Sequence, residues 1–456
     1  MTKNLKTNAL LLLALVLGAL MTFVGLAQFS ITNIARATRE ANFVIDVARE
    51  ASGVEAVDVA QEMGDVAAVN VAAEDVAVDI SDVAENLTGS AVDVAAVKRG
   101  KTESDAKNEL TSAKAMCVIE RNSGRVLYSK NEHERLPMAS LTKIITAIVA
   151  IENNADLDRV IEIPKEATGI EGSTIYLKAG EHLSIRDLLF GLMLRSGNDA
   201  AVALAIATSG SVDAFMTLAN DFVARLGLVN THLVTPNGLH DDNHFTSALD
   251  LARVTAYALE NPTFAEIVKT QKTVIPNEFK ANENRLLKNK NKLLAQLAYA
   301  DGVKTGYTKK AGRCFVGSAT RNGMQLVCVL LDCKPMFEDC AKLLERGFEE
   351  FELVDLLSAY DVCGKIKVTN ADETEVGVFT RSEFVYPLTA QEKSSVHITR
   401  NMPESVAAPI KKNQEVGQLE INLGNDLIFC EKIYTINSVE SNDLKSKIEK
   451  ILQGFL

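Results

Sequence analysis

Between Glu50 and Val97 the chain has no lysine or arginine, while eleven acidic residues fall in the same stretch. Those eleven carry nearly all of the formal net charge of −12 at pH 7. The acidity therefore belongs to one segment, and the remainder is close to neutral. With no basic patch anywhere, nucleic acid is excluded as a partner. Cysteine is also scarce: Cys117, Cys314, Cys328, Cys333, Cys340, Cys363 and Cys430 are seven in 456 residues. Too few and odd in number, they exclude a disulfide framework and read mostly as small buried apolar side chains. None lies near the N-terminal apolar run, which rules out a lipid-modified cysteine there. His, Cys and acidic residues do not gather at ligand spacing, so neither a metal nor another cofactor is expected.

What is present divides the chain into five parts. Lys3 and Lys6 precede an apolar run from Ala9 to Ala27 broken only by Thr22, which makes residues 1–27 a secretory signal or an uncleaved membrane anchor. Small residues at Gly25 and Ala27, or at Ala35 and Ala37, offer cleavage sites. Residues 28–113 are dominated by Ala, Val and acids, with Asp-Val-Ala recurring from Asp46, Asp58, Asp65, Asp75, Asp82 and Asp93. Such a composition buries too little to offset its ordering entropy and reads as a low-complexity spacer; a Val-rich stalk or helical array is the alternative. Residues 114–358 are patterned as a folded domain of helices and strands. A hairpin is expected from Ala115–Glu120 and Arg125–Ser129 around Asn122, Ser123 and Gly124. Helical spacing follows at Ile144, Ile145, Ile148 and Val149, then in two helices broken at Ser196, Gly197 and Asn198. Gln325–Leu331 reads as a buried strand after Cys314–Ala319, across a turn at Arg321–Gly323. Residues 359–440 form a β-rich domain of short alternating stretches. Residues 441–456 set Leu444, Ile448, Ile451, Leu452 and Phe455 against Lys445, Lys447 and Lys450, an amphipathic helix that lies on a membrane or on its own domain.

Three short motifs carry chemistry. Ser140 and Lys143 are three residues apart at the start of an apolar helix, where that spacing places the amine beside the hydroxyl. A serine is a weak nucleophile until a base takes its proton, and lysine serves if burial or another cation lowers its pKa. Ser104 and Lys107 show the same spacing inside the spacer, so the pair alone decides little. The second motif is Ser196, Gly197 and Asn198 at the helix break, and the third is Lys304, Thr305 and Gly306, followed by Tyr307. Read singly, the second is a helix-terminating turn and the third a polar strand edge. Together, in this order and with domain-scale gaps, they are far less expected by chance.

With these residues the chain resembles the penicillin-recognising serine enzymes, and more closely the low-molecular-mass D-alanyl-D-alanine carboxypeptidases. The resemblance is strong over Ala115–Leu357 and weaker over the β-rich part, where Asn413 stands in place of a usual glycine. It implies an α+β fold of the β-lactamase and DD-peptidase kind, an antiparallel sheet with a helical cluster followed by a small β-rich domain. It implies a substrate, the peptidoglycan stem peptide ending in D-Ala-D-Ala, β-lactams as covalent inhibitors, and an extracytoplasmic location at the outer face of the cytoplasmic membrane or in the cell wall. Ser140 would be the nucleophile, Lys143 its base and Ser196 a proton relay. Asn198 would orient the substrate amide, and Lys304 would repel Lys143 while attracting the substrate carboxylate. Thr305 would bond that carboxylate, Gly306 would let the peptide lie along the strand, and the N–H groups of Ser140 and Tyr307 would form an oxyanion hole.

His244, with Asp241, Asp242 or Asp250, offers a histidine triad, rejected because a lysine base is already adjacent. A class A β-lactamase is the nearest enzymatic rival, but Thr231–Leu239 holds no glutamate to direct a deacylating water. Transpeptidation with an amine acceptor stays open. A non-catalytic wall-binding module predicts a damaged motif, and none is damaged.

Overall fold

The computed structural model describes residues 111–280 and 283–443. The signal or anchor, the Asp-Val-Ala repeats and the expected amphipathic helix beyond residue 443 lie outside the described residues. Residues 111–113, assigned to the spacer on composition, are already tied to the folded domain: Thr111 donates to Asp339 at 2.7 Å.

The first hairpin joins β1 (Ala115–Glu120) to β2 (Val126–Lys130), as expected. A 3-10 turn at Ala139–Thr142 leads into α1 (Lys143–Glu152). A ribbon of β3 (Val160–Glu162) and β4 (His182–Ser184) precedes α2 (Ile185–Leu194), α3 (Asn198–Ser209), α4 (Val212–Arg225), α5 (Ala248–Glu260) and α6 (Pro262–Lys269). A second ribbon, β5 (Lys272–Ile275) with β6 (Arg285–Lys288), and the short α7 (Leu293–Gln296) lead to β7 (Ala300–Thr308), β8 (Gly312–Arg321), β9 (Met324–Leu331) and α8 (Met336–Glu350).

The main sheet has the order β2-β1-β9-β8-β7 and is antiparallel throughout. Alternation splits its side chains between two cores. Val327, Val329 and Leu331 join Cys117 and Ile119 under the helices, while Leu326, Cys328 and Leu330 join Met116 and Val118 under α8. A strand buried on both faces needs apolar residues at every position, which is why β9 reads as a continuous run. Its hairpin with β8 closes on Asn322 and Gly323, both at positive φ (51° and 82°), the backbone a tight two-residue turn requires. Helix α1 is buried from Lys143 to Ile151 and packs against α2 to α6. An all-round apolar helix is stable only inside, and each buried Ile there contributes about 1.5–3 kcal/mol. Among the described residues no single helix is long and apolar enough to cross a membrane.

Beyond α8, β10 (Glu352–Leu357) pairs with β13 (Phe384–Leu388), and a six-stranded sheet follows. It is built from β11 (Val362–Thr369), β12 (Glu375–Phe379), β14 (Val396–Asn401), β15 (Ser405–Ala407), β16 (Glu415–Leu423) and β17 (Asp426–Thr435), in the order β14-β16-β17-β12-β11-β15. Ile366, Val378, Leu419, Ile421 and Ile433 form its core. Asn413 has φ of 65°, a left-handed conformation that asparagine tolerates.

Candidate active site

Ser140 lies in the 3-10 turn one step before α1, and Lys143 opens the helix. Their polar atoms meet: Nζ of Lys143 is 3.0 Å from Oγ of Ser140, 2.7 Å from Oδ1 of Asn198 and 2.6 Å from the carbonyl oxygen of Asn237. Lys143 is wholly buried and makes no ion pair with a described residue. Burial pushes its pKa well below the usual lysine value, and the nearby charges of Lys304 and Lys290 push in the same direction. Of the two causes expected from sequence, burial is the larger and repulsion from Lys304 the lesser. A neutral amine has two hydrogens and one lone pair. The two carbonyl-type oxygens can only accept, so they take the hydrogens and leave the lone pair facing the Ser140 hydroxyl.

The turn is held from three sides. Ala139 is at φ of 49°, and Thr142 donates to its carbonyl at 2.9 Å. His244 Nδ1 accepts from the N–H of Val234 at 2.9 Å, which leaves Nε2 as donor to Thr142 Oγ1 at 2.7 Å. Burial lowers the His244 pKa to about 4, so the ring stays neutral. It fixes the turn and makes no bond to Ser140. Gly238, at φ of 80°, lies so close that a Cβ there would stand 2.0 Å from the Ala139 carbonyl oxygen. On the third side β7 passes the turn at Gly306, where a Cβ would meet Met138 O at 3.1 Å and Ala139 Cβ at 3.3 Å. The missing side chain of Gly306, which the resemblance implies gives clearance for substrate, leaves room for the Ser140 turn.

Ser196 is buried at φ of 62° in the break between α2 and α3, immediately before Gly197 and Asn198. Asn198 donates from Nδ2 to Glu171 O at 2.5 Å, and its N–H donates to Ser173 O at 2.7 Å, so its amide is fixed with Oδ1 toward Lys143. The adjoining Asp199 accepts from the N–H groups of Ile175 and Leu177. Lys304, Thr305, Gly306 and Tyr307 all lie on β7, the edge strand of the main sheet. Lys304 is buried and its pKa falls to about 7, first through desolvation and then through Lys290. Thr305 is half-buried, and Tyr307 is exposed under the guanidinium of Arg313.

Sequence reasoning misses Asn237, Gly238, Thr142 and Lys290. The Pro236-Asn237-Gly238 run is a turn pattern, but nothing in it announces that a backbone carbonyl would serve Lys143. Lys290 sits in the Lys288–Lys292 run and has the look of a solvated face; it donates to Ser173 Oγ at 2.9 Å.

The chain is similar to known proteins in sequence and fold. Residues 100–335 match the model of the D-alanyl-D-alanine carboxypeptidase family (peptidase S11), and residues 351–441 match that of the penicillin-binding protein 5 C-terminal domain. A D-alanyl-D-alanine carboxypeptidase of Bacillus subtilis is 31% identical over 338 residues, covering 72% of this chain and 85% of the relative. One of Escherichia coli is 32% identical over 355 residues, covering 74% and 86%. Among solved structures, penicillin-binding protein 5 of Haemophilus influenzae is similar with a TM-score of 0.64 at 28% identity, covering 73% of this chain and 98% of its own. A carboxypeptidase of Francisella tularensis is similar with a TM-score of 0.59 at 26% identity, covering 76% and 96%.

Proposed function

The chain belongs to the peptidase S11 family of serine-type D-alanyl-D-alanine carboxypeptidases, and from that premise we propose how its residues divide the reaction. It is a D-Ala-D-Ala carboxypeptidase acting outside the cytoplasm on peptidoglycan stem peptides; an acyl-enzyme intermediate and inhibition by β-lactams are properties of its family.

The lone pair of Lys143 takes the Ser140 proton as Oγ attacks the carbonyl carbon of the penultimate D-alanine. The tetrahedral oxygen is held by the N–H groups of Ser140 and Tyr307, each donor worth about 3 kcal/mol. Collapse breaks the C–N bond. The leaving D-alanine nitrogen receives the proton through Ser196, and water then hydrolyses the ester with Lys143 again as base. Lys304 and Thr305 hold the terminal carboxylate, and the free edge of β7 accepts the peptide as an added strand. The single observation that carries this division is the bonding of Lys143: two acceptors consume its hydrogens and the remaining contact is the Ser140 hydroxyl. The segment 1–27 would keep the enzyme at the outer face of the membrane.

The test is release of D-alanine from a peptide ending in D-Ala-D-Ala. The wild-type chain is expected to release it, Ser140→Ala to release none, and mass spectrometry after penicillin treatment to place the adduct on Ser140. Undiminished release by Ser140→Ala, or an adduct elsewhere, would sink the assignment.

A further inference from the structure

The β5–β6 ribbon pairs Lys272 with Lys288 and Val274 with Leu286. Residues two apart on a strand share a face, so these four form one surface. All four are exposed, Val274 by 55% and Leu286 by 65%. Like charges directly opposite one another across a ladder are destabilising. Neither lysine makes an ion pair with a described residue, and the neighbouring Lys292 is likewise exposed and unpaired. The face therefore lacks both a counter-charge and an apolar cover.

Its position gives that a consequence. Arg195, directly before Ser196, donates to the carbonyl of Lys288 at 3.4 Å, and the N–H of Lys290 donates to Leu194 O at 3.2 Å. The foot of the ribbon is thus stitched to the helix break that carries Ser196 and Asn198. The face suits an occupant that is anionic and carries apolar side chains. The stretch from Glu50 to Val97 has both: eleven acids, no base, and Asp-Val-Ala at Asp58, Asp65, Asp75, Asp82 and Asp93. Reach is sufficient. The fourteen steps from Val97 to Thr111 span on the order of 45 Å when extended, against a radius of gyration of roughly 18 Å for a domain of this size. Being on the same chain, the segment is present at an effective concentration in the millimolar range.

We propose that the acidic segment between Glu50 and Val97 docks in cis on the exposed face of the β5–β6 ribbon and there competes with substrate for the mouth of the catalytic cleft. The docking rests on charge and surface alone; only the competition rests on the carboxypeptidase reading. Two experiments on the full chain separate them.

Zero-length carbodiimide coupling joins a carboxylate to an amine with loss of water. It is expected to give intramolecular amides between Lys272, Lys288 or Lys292 and acids of residues 50–97. No such amides, or amides formed only between chains, would overturn docking in cis. This readout needs no turnover, so it survives even if the enzymatic assignment fails. In the second experiment, KM is compared at low and high salt for three proteins. They are the wild-type chain, a variant with Asp→Asn and Glu→Gln at all eleven acidic positions, and the double variant Lys272→Gln/Lys288→Gln. Both variants are expected to lower KM about threefold at low salt, with the difference vanishing near 0.5 M salt, as for weak exposed contacts acting together. Amides without any change in KM would retain docking and overturn competition. A higher KM in the lysine variant would make the ribbon a substrate surface and overturn the proposal. Binding of phosphatidylglycerol vesicles to the ribbon, undiminished by the acidic segment, would make it a lipid surface and overturn the proposal as well.

Discussion

The two folded parts of this chain treat buried charge in opposite ways. In the β-rich domain, from about residue 359, the buried polar groups among the described residues are Thr380, Thr435 and Ser441, hydroxyls only. The domain before it buries Glu120, Glu181, Asp199, Asp250, Asp301 and Asp339 together with Lys143 and Lys304. Removing an ion from water costs several kcal/mol, so each needs compensation. The carboxylates have it: Glu181 meets Arg285, Glu120 the N–H groups of Asn122 and Ser123, Asp250 the N–H of Asn230, and Asp301 the donors of Thr320 and Gln325. The two lysines do not. Among the described residues, Lys143 faces three neutral oxygens and Lys304 bonds the carbonyl of Thr305 at 2.9 Å. Buried amines with no carboxylate partner among the described residues are the difference between the two parts, and the β-rich domain has no such group among its described residues.

The sharpest way to break that contrast is to remove the amine proposed as the base. Lys143→Met keeps most of the side-chain volume and removes the lone pair. The rates of D-alanine release and of penicillin acylation are expected to fall by about 10³-fold or more, near the upper end of what general base catalysis supplies. If stopped-flow acylation proceeds within tenfold of wild type while circular dichroism shows a folded protein, the lysines are merely tolerated and the comparison fails.

A slightly smaller effect is expected from Gly238→Ala, which changes no functional group. The new Cβ would stand 2.0 Å from the Ala139 carbonyl oxygen, at a φ that disfavours a side chain. The Ser140 turn must then shift, and a displacement near 1 Å costs about 10²-fold in rate. Activity of the folded fraction and the thermal midpoint should fall together; an unchanged kcat/KM would show that the turn is not held from this side.

The charge state of Lys304 sharpens the comparison through pH. Its pKa of about 7 in the free enzyme means that it loses its charge as pH rises through neutrality. The form that attracts a carboxylate is therefore present below pH 7 and lost above it. The expected profile of kcat/KM bends downward near pH 7, approaching a tenfold fall per unit, because this ratio reports the free enzyme. The limb in kcat lies higher, since a bound carboxylate favours the charged lysine. A kcat/KM profile flat to pH 10 would remove Lys304 from carboxylate binding.

Much of this is legible in the amino-acid order, and the reason differs by element. Strand β9 and helix α1 announce themselves because burial on all sides demands unbroken apolar residues. The three motifs are visible because Ser, Lys and Asn act through side chains. The third contact of Lys143 is invisible because a peptide carbonyl has no letter: Asn237 contributes its backbone, and any residue would have carried it. The positive φ of Ala139 and the role of His244 as a strut under Thr142 are equally hidden, since both arise from how separate segments meet. Lys290 is hidden for another reason. A lysine among lysines looks solvated until the fold sets it against Ser173.

The smallest effect concerns the seam between the two parts, and it tests whether they are energetically joined yet chemically separate. Arg125, at the start of the β2 arm, bonds the carbonyl of Pro387 and the carboxylate of Glu392, and its guanidinium lies 5.2 Å from the Phe351 ring centroid and 5.1 Å from that of Tyr386. The Glu392 pair is partly buried, so screening takes away less than it would at the surface. Arg125→Ala is expected to cost about 1–2 kcal/mol of stability, measured by urea unfolding, through the lost charge-assisted bonds and ring contacts. Its kcat/KM is expected to stay within twofold of wild type, because Arg125 touches none of the residues that hold Ser140. A loss of activity without a loss of stability would mean that the seam helps to shape the cleft, and the division between a charged, working domain and a neutral, β-rich one would have to be redrawn there.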